Sequence, residues 1–150
     1  MFLIPGVLAV ILGFFGLFAL LPGPIHAGSF TFDYHFMFVA SALAILGVQL
    51  VFLGLAAKTY ARAALPERRD PWVDFLDRRF TLERGLLVGL ALAAAGLGIN
   101  GWILWIWLAA GRGQLFAVQP ALLGLSLIVV GAQIVFGSFF ISVLRDDGRR

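Results

Sequence analysis

The sequence predicts an all-α membrane protein, with four transmembrane helices arranged as two hairpins. A short amphipathic interfacial helix is expected in the loop between spans two and three. Three observations predict this architecture. Apolar runs fill Phe2–Leu21, Phe36–Ala57, Leu86–Ala110 and Val118–Leu144. Each has about 20 residues or more, enough at about 1.5 Å per residue to cross a hydrocarbon layer of about 30 Å. Hydrophobic residues form 61% of the 150, against about 45–50% in soluble domains, which leaves these runs no polar face for water. Nearly all the charges lie between the second and third runs or at the C-terminus. Residues 1–150 therefore read as a single membrane domain.

The first span, 2–21, follows no basic segment, and its apolar stretch exceeds the about 7–15 residues of a secretory-signal core. It reads as an uncleaved helix. The loop Pro22–His35 carries no Lys or Arg. At its end Asp33 is placed to cap span two, 36–57, by accepting hydrogen bonds from free backbone N–H groups. Asp33 and His35 have no further ligands in sequence to complete a metal site, and His26 lies apart in a Pro/Gly-rich turn. With no cysteine in the chain, disulfides and thiolate metal sites are excluded. No cofactor and no metal are expected.

The loop 58–84 carries structure of its own. Asp70-Pro71 is a helix start, an N-cap carboxylate followed by proline at the first helical position. Trp72, Phe75, Leu76 and Phe80 then recur at helical spacing, with Asp74, Asp77 and Arg78 on other faces. Such a helix suits the headgroup region, its rings dipping into the acyl boundary. Thr81 is placed to cap the helix that becomes span three, 86–110. There Gly96-Leu-Gly98-Ile-Asn100-Gly101 spells a dinucleotide fingerprint, but within a membrane helix it lacks the strand and the water-facing helix end that bind phosphate. These glycines are read as close-packing residues.

Span four, 118–144, repeats part of span two: Gly47-Val-Gln49-Leu-Val51-Phe52 returns as Gly131-Ala-Gln133-Ile-Val135-Phe136. The echo implies two helical hairpins of one orientation, side by side. Gln49, Gln133 and Asn100 are polar groups in apolar runs, read as intramembrane packing residues, and the two glutamines are expected to face other helices and hydrogen-bond there. They are too few for an ion or proton relay.

Ten of the eleven Lys and Arg residues fall in the loop 58–84 or the C-terminal tail, and the exception is Arg112. By the positive-inside rule that loop and both termini are cytoplasmic. Arg78, Arg79 and Arg84 lie where the interfacial helix meets span three. They are the candidate residues for binding a lipid phosphate, which clustered arginines hold through charge-assisted hydrogen bonds. Glu67, Asp70, Asp74, Asp77 and Glu83 interleave with the bases, so topology and ion pairing account for the same residues equally well. The net charge of +3 gives no reason to expect nucleic acid. No D-x-D pair, Ser–His–Asp set or phosphate loop provides catalysis, and no catalytic residue is assigned.

Several strings together carry a family resemblance. Phe32-Asp33-Tyr34-His35 opens span two, Gly47-Val-Gln49 lies within it and Leu55-Ala-Ala-Lys58 closes it. Phe80-Thr-Leu-Glu83-Arg84-Gly85-Leu86-Leu87 begins span three, and Ser138-Phe139-Phe140-Ile-Ser142-Val-Leu144 stands near the end. In order and spacing the chain resembles the C-terminal membrane domain of bacterial family-2 glycosyltransferases, relatives of polyprenyl-phosphate or dolichol-phosphate mannosyl- and glucosyltransferases. The resemblance covers nearly the whole chain and implies a multi-pass protein of the bacterial inner membrane.

In that family a preceding cytoplasmic domain moves a hexose from a nucleotide sugar to an acceptor, commonly a polyprenyl phosphate, using a divalent metal. No position here matches the family's donor, metal or catalytic-base residues, so the resemblance implies a membrane module without the catalytic domain. Its expected role is to anchor the enzyme and present the lipid acceptor, with a catalytic domain as partner in cis or in trans. Two other readings stand beside it. One is a small carrier or flippase-like protein for a lipid-linked sugar. The other is a purely structural membrane protein, homo-oligomeric through its glycine-rich faces.

Overall fold

The computed structural model describes residues 2–27, 30–64, 82–111 and 117–147. They form helix α1 (Leu3–Ala19), strands β1 (Ile25–Ala27) and β2 (Phe30–Phe32), and helices α2 (Tyr34–Ala64), α3 (Leu82–Ala109) and α4 (Val118–Asp147). Among the described residues, three helices are long and apolar enough to cross a membrane, over Tyr34–Ala61, Leu82–Ala109 and Val118–Leu144. α1 is as apolar but has 17 residues, short of the about 20 that a spanning helix uses.

The boundaries depart from the apolar runs for local reasons. α1 ends at Ala19 rather than Leu21 because Pro22 cannot continue the ladder. The last apolar residues tighten into a turn, Leu21 N–H donating to the Phe18 carbonyl at 3.4 Å, before Gly23 turns the chain at φ 148°. α2 starts two residues before Phe36. The Asp33 carboxylate accepts the Tyr34 N–H at 2.6 Å, and the Asp33 carbonyl accepts the Phe36 N–H at 2.9 Å. Asp33 thus sits at the helix start, although its side chain bonds the first N–H and not the second or third that an N-cap usually serves. α2 also runs on past Ala57 to Ala64 through residues that favour helix. After α3, Gly111 adopts φ 79°, the left-handed conformation that closes many helices.

The loop Pro22–His35 corrects the all-α expectation. It contains a two-stranded antiparallel ribbon that pairs Ile25 with Phe32, His26 with Thr31 and Ala27 with Phe30. The cause is legible afterwards. Apolar residues flank a polar one on both sides of Gly28-Ser29, in Ile25-His26-Ala27 and Phe30-Thr31-Phe32, with a two-residue separator typical of hairpins. His26 Nδ1 and Thr31 Oγ1 lie 3.2 Å apart across the ribbon, and the Phe32 ring packs 4.8 Å from that of Phe36 at the head of α2.

α1 packs along α2 and α3 along α4, and the two pairs join through α2 and α4. Each pair is antiparallel, as shown by Gly6 lying against Val51 and Gly13 against Ala44 in one, and Gly89 against Val135 and Gly96 against Ile128 in the other. These are equivalent contacts. Gly47 meets Gly6 and Val10 where Gly131 meets Gly89 and Ala93. The six-residue echo is therefore part of a repeated helix-pair seam. Along α2 that seam runs through Ala40, Ala44, Gly47, Val51 and Gly54, and along α4 through Gly124, Ile128, Gly131, Val135 and Ser138. Its alternating steps of four and three residues make the heptad period of a left-handed helix pair.

The core sits where α1 ends and α2 and α4 begin: Leu17, Leu20, Met37, Ala40, Ala44, Leu122, Leu123 and Leu127. α2 and α4 run in the same direction, since Ser41 meets Ser126 near their starts and Phe52 lies on Gly137 further along. Outward faces carry Ile4, Leu8, Ile11 and Phe15 on α1 and Leu90, Leu97 and Trp105 on α3, all exposed. In water such faces are unfavourable; against acyl chains they are at home.

Candidate functional site: the face between α2 and α4

α2 and α4 touch closely near their starts. Ser126 donates to the Leu122 carbonyl at 2.7 Å, so Ser41 is the donor in the buried 2.7 Å Ser41–Ser126 hydrogen bond. Further along, the two helices leave a groove of about 490 Å3 between them, lined by residues such as Gln49, Phe52, Val129, Gln133, Phe136 and Gly137. Its wall is apolar apart from the two amides. Both glutamines lie fifteen residues beyond the first residue of their helix, so on parallel helices they reach the same depth.

The two amides differ in environment. Gln49 is exposed at the groove mouth. Gln133 is partly buried, and its Oε1 is fully covered without a hydrogen-bond partner. The hydrogen bond expected of each amide to a neighbouring helix is therefore not made among the described residues. The reason is geometric: the heptad seams put Gly47, Val51, Gly131 and Val135 against α1 and α3, which turns the positions between them, 49 and 133, out of the seams. Asn100 packs on Gly124 of the neighbouring helix, and its Nδ2 donates to the Gly96 carbonyl of its own helix at 3.3 Å.

Of the three candidate phosphate-binding arginines, Arg84 is exposed in the first turn of α3, next to Glu83. Arg78 and Arg79 lie outside the described residues, as do Trp72, Phe75, Leu76 and Phe80 of the expected interfacial helix. Among the described residues no group of three or more His, Cys, Asp or Glu side chains is placed to hold a metal ion. The Ser41–Ser126 contact was missed in the sequence, because lone serines in apolar runs carry no periodic signal. Only their burial on facing helices pairs them.

Residues 55–145 match the glycosyltransferase family 2 C-terminal transmembrane region. The chain belongs to this family. The match takes in the last turns of α2 and nearly all of α3 and α4, and it agrees with a membrane-embedded, multi-pass protein. Over 141 residues the chain is 28% identical to the low-salt glycan biosynthesis hexosyltransferase Agl6 of Haloferax volcanii, covering 94% of the chain and 32% of that protein. The chain thus spans about a third of its relative's length. No solved structure matches it.

Proposed function

We propose that this family 2 transmembrane region anchors a glycosyltransferase and presents its lipid acceptor, the catalytic domain being a partner in cis or in trans. The observation that carries the reading is the family match over 55–145, which includes the basic segment 58–84 and the two helices that follow it. In this reading α1 is a fourth span, its apolar stretch completed by Phe2, Leu20 and Leu21. The chain then forms two hairpins with both termini and the segment 58–84 in the cytoplasm of a cell-envelope membrane, as the placement of Lys and Arg favours.

A polyprenyl phosphate would keep its tail in the bilayer and bring its anion to Arg78, Arg79 and Arg84 at the cytoplasmic headgroup plane, beside an amphipathic helix built on Trp72, Phe75, Leu76 and Phe80. Arginine suits this role because its planar fork offers paired donors to phosphate oxygens and stays charged. The hexose would come from the catalytic partner. A carrier for a lipid-linked sugar requires a continuous polar path. The groove between α2 and α4 argues against one, since its two amides stand in an apolar wall.

The test is binding of polyprenyl phosphate to the chain in nanodiscs, wild type against the triple variant Arg78→Gln, Arg79→Gln, Arg84→Gln. The variant is expected to lose most of its affinity while keeping its fold. Equal binding by both, or no preference over ordinary anionic lipid, would reduce these arginines to topology signals.

A further inference from the structure

The ribbon between α1 and α2 has two unlike sides. Its register sets Ile25 opposite Phe32 and His26 opposite Thr31, and successive pairs along a ribbon point to opposite sides. The His26–Thr31 side is polar, closed by the 3.2 Å contact between Nδ1 and Oγ1. The Ile25–Phe32 side is apolar, and both of its side chains stay exposed. Such a pair is unfavourable in water. Three observations say what covers it. The Phe32 ring lies 4.8 Å from that of Phe36, which heads the exposed apolar stripe Phe36, Val39, Leu46 and Leu53 along one side of α2. The ribbon's apolar side thus continues a surface that meets acyl chains, since α2 is long and apolar enough to cross a membrane. Trp102 and Trp105 stand exposed in the last two turns of α3, which ends on the side where α2 starts. Tryptophans collect at the headgroup level, so these two mark the interface on the ribbon's side. Finally, the segment from Pro22 to His35 carries a single formal charge, Asp33, and its carboxylate already accepts the Tyr34 N–H at the positive end of α2.

We propose that the ribbon is an interfacial anchor, laid along the bilayer surface at the face where α1 ends and α2 begins. Ile25 and Phe32 rest against the acyl boundary, and His26 and Thr31 turn to water. The partner is the lipid layer itself, reached as a continuation of the acyl-facing side of α2. The ribbon stays in the headgroup layer and goes no deeper, because the unpaired backbone groups along its edges need water or headgroups to bond. Where α1 spans, as proposed above, the anchor also adds thickness. Its 17 residues reach about 25 Å, short of a hydrocarbon layer of about 30 Å, and an apolar ribbon at the helix end fills part of the difference. The inference itself needs only the span of α2, and it stands whether or not the chain presents a lipid acceptor.

The experiment uses the full chain, which has no cysteine of its own, in phosphatidylcholine bilayers. Nitroxide labels are placed singly through Ile25→Cys, His26→Cys, Thr31→Cys and Phe32→Cys, with Leu46→Cys on the exposed side of α2 as the lipid reference. Collisions with oxygen, which concentrates among acyl chains, are expected to exceed those with a water-soluble nickel complex at 25 and 32, as at 46. At 26 and 31 the order is expected to reverse. Ile25→Cys leaves the Phe32–Phe36 contact in place, so the reading does not hang on a substitution that removes it. Nickel collisions prevailing at both 25 and 32 would stand the ribbon upright in water and overturn the proposal. Protection of both positions from both reagents would also overturn it, since protein, a second copy or another chain, would then cover the apolar side.

Discussion

Replacing Gly89 with alanine tests the packing of the α3–α4 pair directly. A Cβ built at this position would lie 2.7 Å from the Gly131 carbonyl oxygen and from Val135 Cγ2, and 3.0 Å from the Val135 backbone nitrogen. Ordinary contact begins at 3.4 Å, so the helices would have to part by about 0.7 Å, and backbone atoms cannot move aside as a side chain can. Overpacking of this kind costs about 1–3 kcal/mol. Against it stands the helix preference for alanine over glycine, about 1 kcal/mol. Gly98→Ala, in the same helix, separates the two effects, because a Cβ there meets nothing within 4 Å. The difference between the variants cancels the intrinsic preference and leaves the steric term, expected at about 1–3 kcal/mol. Reversible unfolding in mixed micelles, followed by tryptophan fluorescence, measures it. Equal stabilities for the two variants would refute the seam as described.

Two further outcomes follow from named contacts. Removing the Ser126 hydroxyl leaves the buried Ser41 without its acceptor, so a double-mutant cycle of Ser41→Ala and Ser126→Ala should give a coupling of about 0.6 kcal/mol, as interhelical hydrogen bonds in membranes do; zero coupling would discount the contact. His26→Cys, in the exposed ribbon, should react with an impermeant thiol reagent added outside the cell, while Tyr60→Cys, in the last turns of α2 and 69% exposed, should react only after permeabilisation. The reverse pattern would invert the proposed orientation.

The helices were legible because their signal is additive: some twenty apolar residues in a row outweigh any single local preference. Their ends were less so, since each depends on one or two residues. Pro22 stops α1 early and Asp33 starts α2 early, whereas nothing stops α2 at Ala57. The ribbon of 25–27 and 30–32 was missed because each strand has three residues, too few for a period of two to stand out. At the candidate site, the sequence picked out Gln49 and Gln133 by chemical type and by their repeated setting. It could not say which way they face, because that depends on which stripe of each helix forms the seam. The contacts at Gly6, Gly47, Gly89 and Gly131 decide that, and they send the amides to the groove.

The repeat itself explains why the two amides stand together. Gly6, Val10 and Gly13 of α1 correspond to Gly89, Ala93 and Gly96 of α3, and each set meets the equivalent stretch of its partner helix. Two pairs built to one plan, placed side by side through α2 and α4, necessarily bring like positions to like depths. The glutamine beside each seam therefore comes twice to the same groove. The pairs differ where the repeat is not needed to hold them. Gly98 and Gly101 of α3 approach nothing, and Trp102 and Trp105 turn outward, 66% and 68% exposed. A seam restricts both helices to small residues, while the outer faces need only be apolar. The groove answers to neither demand, so an amide repeated there has no role in holding either pair together.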